Sequence, residues 1–290
     1  MKVPNFSIII PSLYEADGEY LKLCVGSLRE SGFDGDIIVV TNGGRAKPDL
    51  RHIKGITIHM HNRDQGQCRA VNVGVQVVNP AHKYIMVSNS DMYYAPGWNK
   101  HLEDYVELND DGRPEFKFWC MSPNLVEPTN NNGSAAPFLK LDAGYTIDEF
   151  KPEVVNEFIA KYRLGHSEDG FNLPFIINTQ VWRDIGGYDT AYDPWGSNSD
   201  TDLQTKINIA GVTPVRLADV LVYHFSNKSG TFDGTHQEEW QKNFDYYTKK
   251  FGYNRDDEPK ADVWYNQNMI LEDKLIYHPS WEDKYGTGED

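Results

Sequence analysis

YIMVSNSDMYYAPGW occupies residues 84–98. Its first four residues form an apolar run of strand length, which stops abruptly at Ser88, Asn89, Ser90 and Asp91 before a Pro-Gly-Trp turn. A short apolar run that delivers polar residues at its carboxyl end is the pattern of a buried strand in a parallel α/β sheet, where ligands bind beyond the strand ends. The same four letters, SNSD, return at residues 197–200 within YDPWGSNSDTDLQTKINIAG. The flanks differ completely: a strand leads into the first copy, whereas a Trp-Gly loop leads into the second and a helix follows it.

Toward the amino terminus the same rhythm continues. FSIII (6–10) is a strand bounded by Pro11; EYLKLCVGSLRES places Leu21, Val25 and Leu28 at helical spacing; GDIIVV and GITIHM are two further strands. Short apolar runs alternating with amphipathic segments predict βαβ units and a mostly parallel sheet flanked by helices. QCRAVNVGVQVV fits two periods, with Val71, Val73, Val75 and Val77 alternating as in a strand and Ala70, Val71, Val75 and Val78 sharing a helix face. We read it as a helix, because a parallel connection between GITIHM and YIMV needs a crossover.

Toward the carboxyl terminus the pattern loosens between residues 110 and 170, where Pro114, Pro123, Pro128, NNNGSAAP and Pro152 predict long loops around one helix, PEVVNEFIAKYRLG. Order returns with PFIINTQVWRDIGGYD. The next helix, DTDLQTKINIAG, carries Leu203, Ile207 and Ala210 on one face and ends at Gly211. VLVYHF is a strand, and HQEEWQKNFDYYTKKFG a last helix with Trp240, Phe244 and Tyr247 on one side. After residue 254 come ten acidic residues against Arg255, Lys260, Lys274 and Lys284, a tail apart from the domain of residues 1–253.

Lys and Arg total 28 against 43 Asp and Glu, a formal charge of −15, so the surface repels nucleic-acid phosphates and anionic membranes. Cys24, Cys68 and Cys120 are odd in number and widely spaced, which argues against a disulfide framework or a zinc ribbon and for a reducing compartment. The three-Ile run near the start is too short for a signal-peptide core, and no run has the length of a membrane span. The expected location is the cytoplasm.

Asn89 and Asp91, spaced i, i+2 at a strand end, present two oxygen-bearing side chains of the kind hard cations take; equally, Asn, Ser and Asp make an ordinary turn. In the second copy Ser199 or Asp200 suits a helix N-cap and Asp202 the first turn, while an acid at that place facing a cleft also suits a general base. His224, ending a strand, is either a metal ligand or a satisfied histidine. His59 and His61 share a strand face, but no nearby Cys or acid completes a zinc site.

In order, these segments resemble the GT-A glycosyltransferases, most closely glycosyltransferase family 2. FSIIIPSLYEADGEYLKLCVGSLRESGFDGDIIVVTNGG resembles the family's first strand, Pro-ended nucleotide loop, helix and second strand. NRDQGQCRAVNVGVQ resembles its Asn/Gly-rich helical segment, YIMVSNSDMYYAPGW its metal motif, GGYDTAYDPWGSNSDTDLQTKINIAG its acceptor-side acidic motif, and VLVYHFSNKSGT the strand with a late metal-binding histidine. The likeness covers about residues 5–250 apart from the middle region.

The resemblance implies a GT-A fold with a nucleotide-sugar-binding half to about residue 110 and an acceptor-side half over about 111–253. It implies Mn²⁺ or Mg²⁺ on Asp91 and His224, with Asn89 in the first acidic position of the metal motif. Asp200 matches the presumed catalytic base, and Ser199 stands where the family has another acid. Thr41 and Asn42 stand where the family usually has Asp-Asp. Pro11, Ser12, Tyr14, Glu15, Arg69, Asn72 and Ser90 are the further candidates for donor contacts, and Trp195, Gly196 and Asp202 for the acceptor. The implied reaction is inverting transfer of a sugar from a nucleotide-sugar donor to a hydroxyl of a glycan or other acceptor. Two other readings stay open: a non-catalytic glycan-binding or sugar-nucleotide-binding protein on the same fold, and a sugar nucleotidyltransferase, against which the lack of a GxGxR-type loop after the first strand speaks.

Overall fold

The computed structural model describes residues 6–43, 50, 53, 55–129, 139–162, 167–228 and 234–252; the acidic tail and the side chains of Tyr14 and Glu15 lie outside the described part. The chain begins with β1 (Phe6–Ser12), α1 (Tyr14–Glu30), β2 (Ile37–Thr41), β3 (Ile56–Met60), α2 (Gln67–Gln76) and β4 (Tyr84–Val87). These strands are parallel, in spatial order β3-β2-β1-β4. The ambiguous valine-rich segment is therefore the crossover helix α2. No helix among the described residues is long and apolar enough to cross a membrane.

β5 (Met92–Tyr93), the hairpin β6 (Val106–Leu108) and β7 (Pro114–Phe116), β8 (Cys120–Pro128), β9 (Leu139–Leu141), α3 (Pro152–Lys161), β10 (Glu168–Asp169) and β11 (Phe175–Asn178) follow. The chain then runs through α4 (Thr179–Ile185), α5 (Ser199–Ile209), β12 (Val215–His224) and α6 (Gln237–Phe251). The main sheet has the order β10-β12-β8-β11-β4-β1-β2-β3, with β5 on β12 and β9 on β8. β11 runs antiparallel between β4 and β8, while β8 pairs in parallel with β12 and β9, so the second half is mixed.

Strand alternation sorts the core into two layers. Ile8 and Ile10 of β1 pack with Leu21, Val25 and Leu28 of α1, the face expected from their spacing. Ile9 turns the other way, onto Val71 of α2 and the layer that includes Leu203 and Ile207 of α5. All are fully buried, each side chain contributing about 1.5–3 kcal/mol of transfer free energy.

Three expectations change. β1 does not stop before Pro11 but continues to Ser12, because pairing with β4 ends at Ile9↔Val87 and Pro11 has no second ladder to break. The expected loops after residue 110 contain β8, nine buried residues at the centre of the second half. Pro123 concealed that strand; it sits where the register with β12 shifts between Leu217 and Leu221, a bulge that tolerates the missing N–H. On α6 the buried residues are Asn243, Tyr247 and Phe251, with Trp240 and Phe244 only half-buried, since Asn243 donates to the Tyr192 carbonyl and turns that face inward.

Candidate functional site

The two SNSD segments meet in one cleft. Pro11, Ser12, Asn42, Asn89, Ser90, Asp91, Trp195, Gly196, Asp200 and His224 line it, together with Asp17. β4 ends at Val87, so Asn89 and Asp91 reach the cleft from the loop that follows rather than from strand alternation.

Asp91 and His224 are 133 positions apart in sequence, and strand pairing joins them. β5 runs antiparallel to β12 with Met92 opposite His224, and the Phe225 N–H donates to the Asp91 carbonyl at 3.0 Å. His224 Nε2 then lies 3.4 Å from Asp91 Oδ1, while its Nδ1 lies 3.0 Å from Glu127 Oε1 on β8. Burial alone would lower the His224 pKa, but carboxylates on both sides of the ring outweigh it and raise it to about 9. Burial would likewise raise Asp91; His224 and the Lys228 N–H hold it below the usual carboxylate range.

The donor set suits a divalent cation. Glu127 occupies Nδ1, the arrangement that leaves a ligating histidine's Nε2 for a metal, and Nε2 and a carboxylate oxygen suit Mn²⁺ or Mg²⁺. Among the described residues no group of three or more His, Cys, Asp or Glu is arranged to hold an ion, so two protein ligands leave the remaining positions to phosphate and water oxygens.

Asp17 ties the two donor-side loops together. Ser12 Oγ donates to its Oδ1 at 2.6 Å and Ser90 Oγ donates to its Oδ2, and burial raises its pKa against those two bonds. Ser12 and Ser90 are thus already held by the protein. Asn42 is held too, its Nδ2 donating to the Gly66 carbonyl at 2.9 Å and its Oδ1 lying 2.9 Å from His61 Nδ1. His61 is consequently a partner of Asn42 rather than half of a zinc pair.

On the other side Asn198, not Ser199 or Asp200, is the N-cap of α5, with φ of 65°. Asp200 in the first turn stays more than a third exposed toward the cleft, and Tyr188 Oη donates to its Oδ1 at 2.7 Å. The protein around the cleft desolvates this carboxylate and raises its pKa, while the Tyr188 bond pulls it down. Trp195 lines the cleft with one ring face stacked on His236, centroids 3.4 Å apart, so it is both wall and anchored loop residue.

Four expected contacts do not line the cleft. Asp202 is fully buried beneath it, paired with Lys206 and Lys250. Thr41 is also fully buried. Asn72 spends its amide on the Tyr188 backbone. Arg69 uses its backbone N–H on Asp193, which accepts from Cys68 and Arg69 at the start of α2 at 3.0 and 2.9 Å. Burial lifts the Asp193 carboxyl to about 7 despite those donors. The sequence alone singles out none of Glu127, Asp17 and Tyr188; a lone acid in the run SPNLVEP is the one signal for Glu127.

Residues 7–112 match the family model described as glycosyl transferase family 2. Solved structures of similar fold include GalNAc-T7 with UDP, GalNAc and Mn²⁺, at 13% identity and TM-score 0.50 over 77% of this chain and 44% of that one. Another is S. aureus TarS 1–349 with UDP-GlcNAc, at 13% identity and TM-score 0.50 over 87% of this chain and 74% of that one. The chain thus spans less than half the length of the GalNAc-T7 chain. No curated protein matches it. Over residues 7–112 the chain is thus similar to family 2 glycosyltransferases, and it shares the GT-A fold with those two structures.

Proposed function

We propose that the protein is an inverting, metal-dependent glycosyltransferase that moves a sugar from a nucleotide-sugar donor to a hydroxyl of a glycan or other acceptor. The observation that carries this reading is the convergence of the Asp91–His224 pair and Asp200 on one cleft. Asp91 and His224 would hold Mn²⁺ or Mg²⁺, which when bound supplies positive charge against the departing diphosphate. Pro11, Ser12, Asn42, Asn89 and Ser90 form the donor side, with the two serine hydroxyls oriented by Asp17.

Asp200 accepts the proton of the acceptor hydroxyl as that oxygen bonds to the anomeric carbon and the bond from that carbon to the diphosphate oxygen breaks. Base assistance of this kind is worth about 10² to 10⁴ in rate. Trp195 and Gly196 offer the acceptor sugar an aromatic ring and an adjacent open backbone. We assign these parts to one domain of residues 1–253, donor half to about 110 and acceptor half beyond, working in the cytoplasm. Three buried thiols, Cys24, Cys68 and Cys120, fit that reducing compartment.

The test is a panel of UDP-, GDP- and dTDP-sugars with Mn²⁺ or Mg²⁺, scored for binding and for slow hydrolysis. UDP sugars come first, because UDP and UDP-GlcNAc are named in the two structures of similar fold. Metal-dependent turnover of at least one donor is expected; binding without turnover favours the non-catalytic alternative.

A further inference from the structure

Asn72 looks in sequence like a donor contact, yet its side chain points to a different task. Its Nδ2 donates to the Tyr188 carbonyl at 2.8 Å, and the Tyr188 N–H donates back to its Oδ1 at 3.0 Å, a two-bond clamp across 116 positions. The clamp is close-fitting. Gly187, with φ of +65°, comes so near that a Cβ there would lie 2.5 Å from Asn72 Oδ1 and 2.7 Å from the Trp182 ring. The Tyr188 ring is fully buried, edge-on to Trp182 with centroids 5.7 Å apart.

The backbone of Tyr188 is therefore fixed by α2 and its ring by the core, and its hydroxyl donates to Asp200 Oδ1 at 2.7 Å. Among the described residues this is the one hydrogen bond to the Asp200 side chain. A boxed-in aromatic ring has almost no rotamer freedom, so the hydroxyl cannot follow a moving carboxylate; the carboxylate settles on the hydroxyl. Burial pushes the phenol's pKa up, keeping it a donor throughout the working pH range. Asp202 on the same helix does no such work, since it is committed to Lys206 and Lys250.

We propose that Tyr188 is a positioning residue for Asp200: its hydroxyl holds Oδ1, leaving Oδ2 to take the acceptor proton, and Asn72 sets Tyr188 in place. This rests on the reading of Asp200 as the base. The buried Cys68 thiol on α2 interacts with both Asp200 and Tyr188, with Asp193 beside it, and the buried Cys120 thiol faces Tyr188.

Tyr188→Phe keeps the ring and deletes the hydroxyl. The Asp200 carboxyl resonance, identified by its loss in Asp200→Asn, is followed by ¹³C NMR against pH in both backgrounds. Removing the donor raises the Asp200 midpoint. With the UDP-, GDP- and dTDP-sugar panel, kcat for the donor that turns over falls roughly ten- to hundredfold, with its acid limb moved to higher pH and KM unchanged. An Asp200 midpoint that does not move overturns the proposal whatever the kinetics. If the midpoint moves but neither protein consumes any donor, the transferase reading fails, and the role for Tyr188 in catalysis fails with it.

Discussion

Glu127 Oε1 lies 3.0 Å from His224 Nδ1, and Glu127 Oε2 accepts from Lys140 Nζ at 2.8 Å. Neighbouring strands set up the whole line: β9 places Lys140 beside Glu127, β8 runs alongside β12, and β5 brings Asp91 to the far side of the imidazole. Four charged or chargeable groups thus cross the sheet in the order Lys140, Glu127, His224, Asp91. The Glu127 side chain is only 2% exposed, so the histidine has a fixed anionic partner shielded from solvent.

Glu127→Gln preserves size while removing that charge. Its Mn²⁺ affinity, measured by electron paramagnetic resonance titration in the presence of UDP, is expected to fall about 10- to 100-fold, as for other partners of ligating histidines. Circular dichroism reports whether the strands remain folded. Unchanged affinity in a folded variant means that Glu127 only fills the sheet.

Gly66 precedes α2 with φ of +87°, and a Cβ there would sit 2.1 Å from Asp193 Oδ1. Gly66→Ala meets both an unfavourable backbone conformation and the carboxylate that fastens the 193–196 loop to α2. A loss of roughly 1 kcal/mol or more is expected in urea unfolding. If the unfolding midpoint does not move, Asp193 is not a close-fitting latch.

Lys250 Nζ reaches Asp189 at 2.7 Å and also pairs with the buried Asp202, tying α6 to α5. Burial opposes ionisation of Asp189, yet Lys250 wins and lowers its pKa to about 2. As pH falls, the unfolded chain takes up this proton before the folded one. The stabilisation is therefore complete above about pH 4 and disappears as pH drops toward 2. Asp189→Asn should be less stable than wild type at pH 6, with a deficit that narrows at pH 3. A deficit independent of pH would contradict the assignment.

Lys250→Met leaves the buried Asp189 without its paired cation and the buried Asp202 with Lys206 alone. The expected cost in urea unfolding at pH 7 is about 3–5 kcal/mol, the usual result of breaking one side of a buried pair. A change below 1 kcal/mol would mean that Lys206 alone sustains the cluster.

The first half of the fold was legible because its strands are continuous apolar runs and α1 keeps a clear helical face through Leu21, Val25 and Leu28. The second half was not, because β8 contains two prolines and buried polar residues, some of them satisfied by distant partners. Ser122, for example, bonds across 50 positions to Asn172. Asp91, Asp200 and His224 enter the candidate site through the resemblance of their segments to family 2 glycosyltransferases, because locally each fits an ordinary turn, helix start or satisfied histidine equally well. Tyr188 and Asp17 carry no sequence signal, since their importance lies in contacts made after folding, and the same holds for Asn72, whose amide is spent on the Tyr188 backbone. Asp202 shares the first turn of α5 with Asp200, but a helix of 3.6 residues per turn sends residues two apart to opposite faces.

In the proposed reaction the two SNSD acids divide the work of one cleft, Asp91 toward the metal and Asp200 toward the acceptor proton. The most direct measurement compares Asp91→Asn and Asp200→Asn for Mn²⁺-dependent binding and for turnover of whichever sugar nucleotide the wild type consumes. Asp91→Asn should lose metal-dependent binding and turnover together, whereas Asp200→Asn should bind metal and donor as the wild type does and lose turnover by about 10² or more. Undiminished turnover in Asp200→Asn, or wild-type metal and donor binding in Asp91→Asn, would contradict it.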